Sequence, residues 1–201
     1  RDTDRSRGLG DVYKRQHFHL SMQSGCDATL KRMNRKYDTA RYLTSCQLLR
    51  AHFDHPAITT DLICGFPGET EEDFLATLDV VERVGYGQMF RFIYSKRPGT
   101  PAASIPDDTP REVLQERFER LEKVAQQSSL AENNREVGRI VPVLVEGSSR
   151  RDDRVLDGKS PRLQTVHARL ADGMRIEDLI GRIVDVHVES ATTNYLQGTL
   201  V

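Results

Sequence analysis

Asp61-Leu62-Ile63-Cys64-Gly65-Phe66-Pro67-Gly68-Glu69 decides how this chain is read. Residues 58–63 read as a buried strand. The strand runs into a turn holding Gly65, Pro67 and Gly68 and then into an acidic helix start. Strand, glycine turn and helix N-terminus is the layout of a phosphate or cofactor edge in an α/β protein. The glycines are spaced G-x-x-G and no Lys-Ser/Thr pair follows them, so neither the dinucleotide fingerprint nor the P-loop fits.

Two further runs carry the same kind of edge. Residues 17–23 (HFHLSMQ) end in Ser24-Gly25-Cys26-Asp27 and lead into a helical stretch, 28–33. Residues 88–94 (QMFRFIY) end in Ser95-Lys96-Arg97-Pro98-Gly99-Thr100-Pro101. Between them lie residues 38–53, with Tyr42, Cys46, Leu49 and Phe53 at helical spacing, and residues 70–84, with Phe74, Leu78 and Val81 on one face. Alternating strands and helices with polar, glycine-rich strand ends predict βα units of a parallel sheet or barrel. The ligand site of such a fold gathers at the C-terminal ends of the strands.

The stretches HLSMQSGCDATLKRMNRKY (19–37), ITTDLICGFPGETEEDF (58–74) and FIYSKRPGTPAA (92–103) resemble the radical S-adenosylmethionine methylthiotransferases that modify tRNA. The resemblance covers residues 17–201. It implies a methylthio group added to C2 of an N6-modified adenosine 37, beside the anticodon. The first two stretches lean towards the branch acting on threonylcarbamoyladenosine. FIYSKRPGTPAA and VLVEGSSRR (143–151) lean towards the branch acting on isopentenyladenosine, and the choice stays open at this level.

The fold class implied is α/β: the C-terminal part of a radical SAM barrel of partial TIM type, followed by a small all-β barrel. Residues 97–109 (RPGTPAASIPDDT) read as the linker. Thr109-Pro110-Arg111-Glu112 is a helix start, and Leu114, Phe118, Leu121 and Val124 then share a face. From Gly138 the pattern changes to five short strands (140–145, 155–156, 165–168, 183–188, 195–200), suggesting a small antiparallel barrel of the oligonucleotide-binding type. This segment, 138–201, resembles the TRAM domain, which binds tRNA. The domain boundaries expected are 17–137 and 138–201. Residues 1–16 are polar and aperiodic, and 11–16 match translated adaptor sequence; the segment is expected to be non-native or a disordered arm.

The 201 residues are 37% hydrophobic and 29% charged, enough for one or two domains with a core, and the net charge of −1 gives no global nucleic-acid signature. Charge is nonetheless segregated. Residues 31–50 hold six basic residues against one acid, and residues 69–82 hold six acids and no base, read as a solvated helix face. Residues 139–169 hold seven basic residues (Arg139, Arg150, Arg151, Arg154, Lys159, Arg162, Arg169) against four acids, a mildly positive patch suited to phosphates. No apolar stretch approaches the roughly 20 residues of a membrane span. The three cysteines, at 26, 46 and 64, have no metal-binding spacing and an odd count, which fits a reducing cytoplasm.

The resemblance implies S-adenosylmethionine as cofactor and two 4Fe-4S clusters in the full-length parent. The C-x-x-x-C-x-x-C ligands of the catalytic cluster are absent from this chain, which relative to the family begins within the barrel. The fragment alone is therefore expected to be inactive. Cofactor contacts are assigned to Gln23, Ser24, Gly25, Arg35, Asp61, Gly65, Pro67 and Gly68. Gln23 is a polar residue ending an apolar strand; Ser24 or Asp27 also suits a helix cap. Arg35 suits the methionine carboxylate and equally an ordinary surface position. Asp61, inside an apolar strand, is either a ligand contact or a hydrogen-bond hub. The glycines and Pro67 shape the backbone near the adenosine. RNA contacts are assigned to Lys96, Arg97, Arg150, Arg151 and Arg154, with 148–153 as a loop. His17 and His19 share a strand face without a nearby carboxylate, so no metal site is assigned.

The partners expected are the tRNA anticodon stem-loop and an electron donor for the parent enzyme, with a monomeric, non-membrane chain. Two other functions stay in view: an RNA-binding protein without catalysis, and a methylthiotransferase acting on a ribosomal protein.

Overall fold

In the computed structural model, which describes residues 16–106, 109–150, 152–171 and 173–201, three strands make one sheet in the order β1-β2-β3. They are β1 (His17–His19), β2 (Ala57–Cys64) and β3 (Gln88–Ile93). Strand β2 pairs in parallel with β3, from Thr59 opposite Gln88 to Cys64 opposite Ile93. Most of β2 is buried, as a strand covered on both faces requires. The stretch 17–23 does not stay a regular strand to its end. Gln23 adopts a left-handed φ of 68°, and only an isolated parallel bridge to Leu62 carries the pairing that far. Residues 1–15, within the segment expected to be non-native, and Arg151 lie outside the described residues.

The chain divides into two compact units, one of residues 19–52 and 58–128 and one built around residues 129–201. In the first, helices α1 (Asp27–Arg32), α2 (Thr39–His52) and α3 (Glu71–Val84) follow the strands, and α4 (Arg111–Asn134) begins. Their apolar stripes meet in one core with Met22, Tyr42, Cys46, Ile58, Leu62, Phe74, Val81, Tyr86, Leu121 and Ala125. The Tyr86 hydroxyl, inside that core, donates to the Tyr42 hydroxyl at 2.9 Å, so the polar ends of both rings are satisfied.

Helix α3 starts with a capping box. Thr70 Oγ1 accepts from the Asp73 N–H at 3.2 Å and the Asp73 carboxylate accepts from the Thr70 N–H at 3.3 Å. Gly85 closes the helix in the left-handed region, and the Arg50 guanidinium donates to the carbonyls of Val84 and Gly85. The acidic run is therefore not simply a solvated face. Asp73 also takes Arg32 at 3.1 Å. Glu71 takes Arg117 at 3.1 Å and Arg120 at 2.7 Å, fixing the start of α3 to α4. Arg32 and Arg50 likewise leave the basic run for structural duties.

The second unit is a closed five-stranded barrel in the order β4-β5-β6-β8-β7, from β4 (Ile140–Ser149), β5 (Asp152–Lys159), β6 (Thr165–Arg169), β7 (Ile183–Ala191) and β8 (Tyr195–Leu200). Its core is Val141, Val143, Val145, Leu156, Val166, Ala168, Val186, Val188 and Leu196 with Leu170 and Ile176. The alternation of these residues with outward polar ones is the period-2 signature of a barrel wall. The barrel is not wholly antiparallel, since β6 and β8 pair in parallel. The stretch 148–153 is not a long loop either. Ser148 and Ser149 end β4 and Asp152 and Asp153 begin β5, leaving a tight hairpin turn. Pro142 is tolerated in β4 because it stands opposite Asp185 of β7 before the β5 ladder starts at Leu144.

Arg162 departs furthest from the expected basic patch. Its side chain is 7% exposed and is clamped between Glu132, at 2.8 Å, and Glu136, which are 9% and 5% exposed. Both acids come from the end of α4 and the turn after it. Gln164 Nε2 adds a 2.9 Å bond to Asn133 Oδ1. Among the described residues no helix is long and apolar enough to cross a membrane.

Candidate functional site

The strand ends of the first unit surround a cavity of about 530 Å³ lined by Gln23, Arg35, Asp61, Ile63, Phe92, Ile93, Tyr94, Ser95, Arg97, Thr100 and Ala102. Four of the residues singled out from sequence, Gln23, Arg35, Asp61 and Arg97, thus share one cavity although they come from four separate segments.

Gln23 is held there by its backbone. Its N–H donates to the Asp61 carbonyl at 2.8 Å and its carbonyl accepts from the Ile63 N–H at 2.9 Å. A left-handed non-glycine residue costs on the order of 1–2 kcal/mol, and such strain concentrates where a side chain must be aimed. Arg35 is delivered by the end of α1. The Asn34 N–H donates to the Lys31 carbonyl and the Arg35 N–H to the Leu30 carbonyl, with Asn34 at φ 57°. This is a Schellman closure with Asn in the left-handed position, and it turns the chain so that Arg35 reaches the cavity. Arg97 starts a turn in which its carbonyl accepts from the Thr100 N–H and Oγ1.

Asp61 faces the same side of the sheet as His19 and Ser21. Its Oδ2 accepts from Ser21 Oγ at 2.7 Å and contacts His19 Nε2 at 3.1 Å, while His19 Nδ1 meets Thr59 Oγ1 at 3.0 Å. Asp61 is therefore a hydrogen-bond hub that also lines the cavity. His19 does have a carboxylate beside it, contrary to the sequence reading, because register places residues 42 apart side by side. Burial raises the Asp61 carboxyl, but the Ser21 hydroxyl, His19 and Arg35 outweigh it and hold the carboxyl below its ordinary value. The cavity lining thus includes the Asp61 carboxylate and the guanidinium groups of Arg35 and Arg97. Ile63, Phe92, Ile93 and Ala102 give it an apolar wall. Tyr94 packs edge-on against Phe66 at 5.0 Å, and its buried hydroxyl has no hydrogen-bond partner among the described residues.

The remaining candidates lie elsewhere. Ser24 is buried with its Oγ 3.4 Å from Thr77 Oγ1, and the Gly25 N–H donates to that same hydroxyl at 3.0 Å. A Cβ on Gly25 would stand 2.6 Å from Thr77 Cα, so this glycine is required by the approach of the turn to α3. Neither Ser24 nor Asp27 caps α1; its N-cap is Cys26, without a side-chain cap. Asp27 instead accepts the N–H of Thr39, the first residue of α2, at 2.8 Å. Gly65, at φ 73°, lies under Leu114, whose Cδ2 would be 2.4 Å from an added Cβ. The turn through Pro67 and Gly68 is braced by Glu69, which accepts the Gly65 N–H at 2.8 Å. Burial pushes the Glu69 carboxyl up to about 6, although the Gly65 N–H and Arg117 pull the other way. Lys96 is exposed outside the cavity lining. Arg150 occupies the β4–β5 hairpin turn and Arg154 lies in β5, both in the barrel unit.

Sequence reasoning missed His19, Ser21, Thr59 and Tyr94 as members of this site. A signal was present: His19 and Ser21 alternate along the run 17–23, as Thr59 and Asp61 do along β2, and Tyr94 is a polar residue directly after β3, as Gln23 ends its own run. The cysteines take separate places. Cys26 precedes α1 with its Sγ 2.9 Å from Asp73 Oδ1, Cys46 is buried on α2 and Cys64 is buried at the end of β2. Burial raises the Cys46 thiol, and burial reinforced by Glu69 pushes Cys64 up to about 12. Among the described residues no three His, Cys, Asp or Glu gather as a metal site.

The model of the radical SAM superfamily matches residues 9–81, starting upstream of His17, and the TRAM domain model matches residues 134–201. The tRNA-2-methylthio-N(6)-dimethylallyladenosine synthase of Thermoanaerobacter sp. (strain X514) is 44% identical over 186 residues, 92% of this chain and 38% of its own length. The protein of the same name from Acidothermus cellulolyticus is 45% identical over 182 residues, 89% of this chain and 36% of its own. The chain therefore spans between a third and two fifths of the length of these relatives. Coproporphyrinogen III oxidase from Escherichia coli, a radical SAM enzyme, superposes on 56% of this chain and 27% of its own, with TM-score 0.49 and 20% identity.

Proposed function

Because this chain belongs to the radical S-adenosylmethionine tRNA methylthiotransferase family and matches the C-terminal part of its members, we propose that it holds the cofactor and the RNA for 2-methylthiolation of N6-dimethylallyladenosine 37 in tRNA. The observation that carries this reading is the 44% identity to a synthase of that name over 92% of the chain, through both modules. The relatives' names favour the dimethylallyl (isopentenyl) branch over the threonylcarbamoyl one.

The donor set of the cavity suits S-adenosylmethionine. Arg35 offers a planar fork for the methionine carboxylate. Asp61, kept ionised by Ser21, His19 and Arg35, suits the ammonium or the ribose hydroxyls, and Gln23 can both donate and accept. The wall of Ile63, Phe92 and Ile93 suits the adenine. The bound cofactor supplies a transferable methyl group and a source of carbon radicals. The role of this chain is to orient it and to keep water away from it.

An iron–sulfur cluster does not fit the residues present. The three cysteines are dispersed and two are buried protonated thiols, whereas a cluster needs converging thiolates. We therefore assign no step to a cluster here and expect this chain alone to show no turnover. Equilibrium dialysis of S-adenosylmethionine tests the cavity. Arg35→Ala and Asp61→Asn should each weaken binding by about tenfold or more, the loss of one charge-assisted contact. Binding unchanged in both folded variants would remove the cofactor from this cavity. RNA-binding without catalysis would show as tRNA affinity with no cofactor affinity in the unsubstituted chain.

A further inference from the structure

Resting on the reading of the barrel as an RNA-binding module, we propose that the outward face of β5, β6 and β8 is a platform on which an unpaired RNA base stacks against Tyr195 and His167. The register fixes what this face carries. Lys159 stands opposite Thr165 and Asp157 opposite His167 across β5 and β6, with Val155 opposite Arg169. Across β6 and β8, Thr165 stands opposite Tyr195, His167 opposite Gln197 and Arg169 opposite Thr199. The intervening residues Leu156, Val166, Ala168 and Leu196 are buried in the barrel core, so the rows just named face outwards. The rings of His167 and Tyr195 lie 4.7 Å apart with planes at 32°, and both residues are partly exposed.

His167 stands beside a carboxylate without a hydrogen bond to it, and the backbone that carries Tyr195 is tied by its turn. His167 Nε2 lies 3.5 Å from Asp157 Oδ1. The β7–β8 turn is tied by Thr192 Oγ1, which accepts from the N–H groups of Asn194 and Tyr195 at 3.2 and 3.1 Å. Lys159 and Arg169 sit on the end rows, about 13 Å apart along the strand at 3.3 Å per residue; Lys159 Nζ donates to Thr165 Oγ1 at 2.7 Å, and Arg169 lies 3.6 Å from the Asp152 carboxylate, which offsets part of its charge.

Aromatic rings set among polar and cationic residues are the composition of a single-strand platform, where bases stack and the backbone meets cations. A protein-docking face would have an apolar centre depleted of charge, which these rows lack. A duplex keeps its bases stacked on one another, so only splayed bases can use the rings. In barrels of this topology the second and third strands and the loops beside them form the oligonucleotide face. Here those strands are β5 and β6, and the bordering turns are the Arg150 hairpin and residues 192–194. The ligand class is therefore a single-stranded RNA loop, read by stacking as well as by phosphate contacts.

The test is fluorescence anisotropy of the full chain with a stem-loop RNA and with a fully paired duplex of the same stem, over a salt series. Tyr195→Leu should weaken stem-loop binding by at least about fivefold, the lower end for one stacked base. The salt slope should stay unchanged, because no phosphate contact is lost, and so should duplex affinity. Tyr195→Phe should retain stem-loop affinity. Circular dichroism checks that each variant is folded; if Tyr195→Leu is not, His167→Gln carries the same test. Wild-type affinity in a folded ring-removing variant, or equal losses on stem-loop and duplex, overturns the platform. A loss in Tyr195→Phe as large as in Tyr195→Leu also overturns it, by pointing to the hydroxyl. A chain that binds neither RNA overturns the RNA-binding reading itself.

Discussion

Replacing Arg162 by alanine should unfold the barrel unit well before any surface substitution does. The guanidinium is shared by Glu132 and Glu136, and all three side chains are under 10% exposed. Removing one partner of a buried ion pair costs about 3–5 kcal/mol, because an uncompensated charge is left behind. Two carboxylates would be stranded here. Arg135, 3.2 Å from Glu132, and Arg139, 3.6 Å from Glu136, remain as partial substitutes at the rim, which argues for the lower end, about 3 kcal/mol. Against a domain stability of about 5–15 kcal/mol, that is a large fraction. With a urea m-value of about 1–3 kcal/mol/M, the midpoint should fall by about 1–3 M. Urea titration followed by amide exchange in β4–β8 isolates this unit from the other. Arg150→Ala, on the hairpin turn, should change stability by no more than about 0.5 kcal/mol. The triple variant Arg162→Met, Glu132→Leu, Glu136→Leu should recover most of the loss, since apolar replacement of a buried ion cluster is commonly neutral or favourable. A loss under about 1 kcal/mol in Arg162→Ala, with no recovery in the triple variant, would refute the reasoning by showing that water screens the cluster.

Gly25→Ala should destabilise the first unit by about 1–3 kcal/mol, the range for overpacking, because its Cβ would stand 2.6 Å from Thr77 Cα and 2.7 Å from the Ala76 carbonyl oxygen; a thermal melt reads it. Glu69 should give a pH dependence of unusual sign for a carboxylate. Its folded pKa of about 6 lies above the ordinary 4.5, so the folded state binds more protons between these values and the contribution of Glu69 falls as pH rises from 4.5 through 6. The span is about 2 kcal/mol, at 1.36 kcal/mol per pKa unit. Asp61, Glu71 and Asp73, held below their ordinary values, act oppositely and lose their contribution as pH falls further. The stability of the wild type minus that of Glu69→Gln, measured by urea titration from pH 4.5 to 7, should therefore decline with pH; a flat difference would contradict the assignment.

The elements were legible because periodicity and turn chemistry are local. The runs ending at Gln23, Ile63 and Tyr94, the stripe Phe74-Leu78-Val81 and five short strands each appear within a dozen residues of sequence. What stayed hidden was pairing across distance. Arg162 sits between Pro161 and Leu163 like any loop arginine, and its acids lie 26 and 30 residues upstream. His19 and Asp61 are 42 apart. The cavity was half legible: Gln23, Arg35 and Arg97 announce themselves as polar residues after strand and helix ends, and Asp61 as a carboxylate inside an apolar strand. Ser24 and Gly25 look the same in sequence, yet the left-handed backbone at Gln23 turns the chain after it towards α3. Nothing local to 21–25 signals that reversal.

The most direct test is mass spectrometry of nucleosides digested from the tRNA of the organism that encodes this chain, with its gene intact and deleted. The proposed function predicts that deletion abolishes 2-methylthio-N6-dimethylallyladenosine and accumulates N6-dimethylallyladenosine in its place. Unchanged levels of that nucleoside, or loss of the methylthio derivative of threonylcarbamoyladenosine instead, would contradict it.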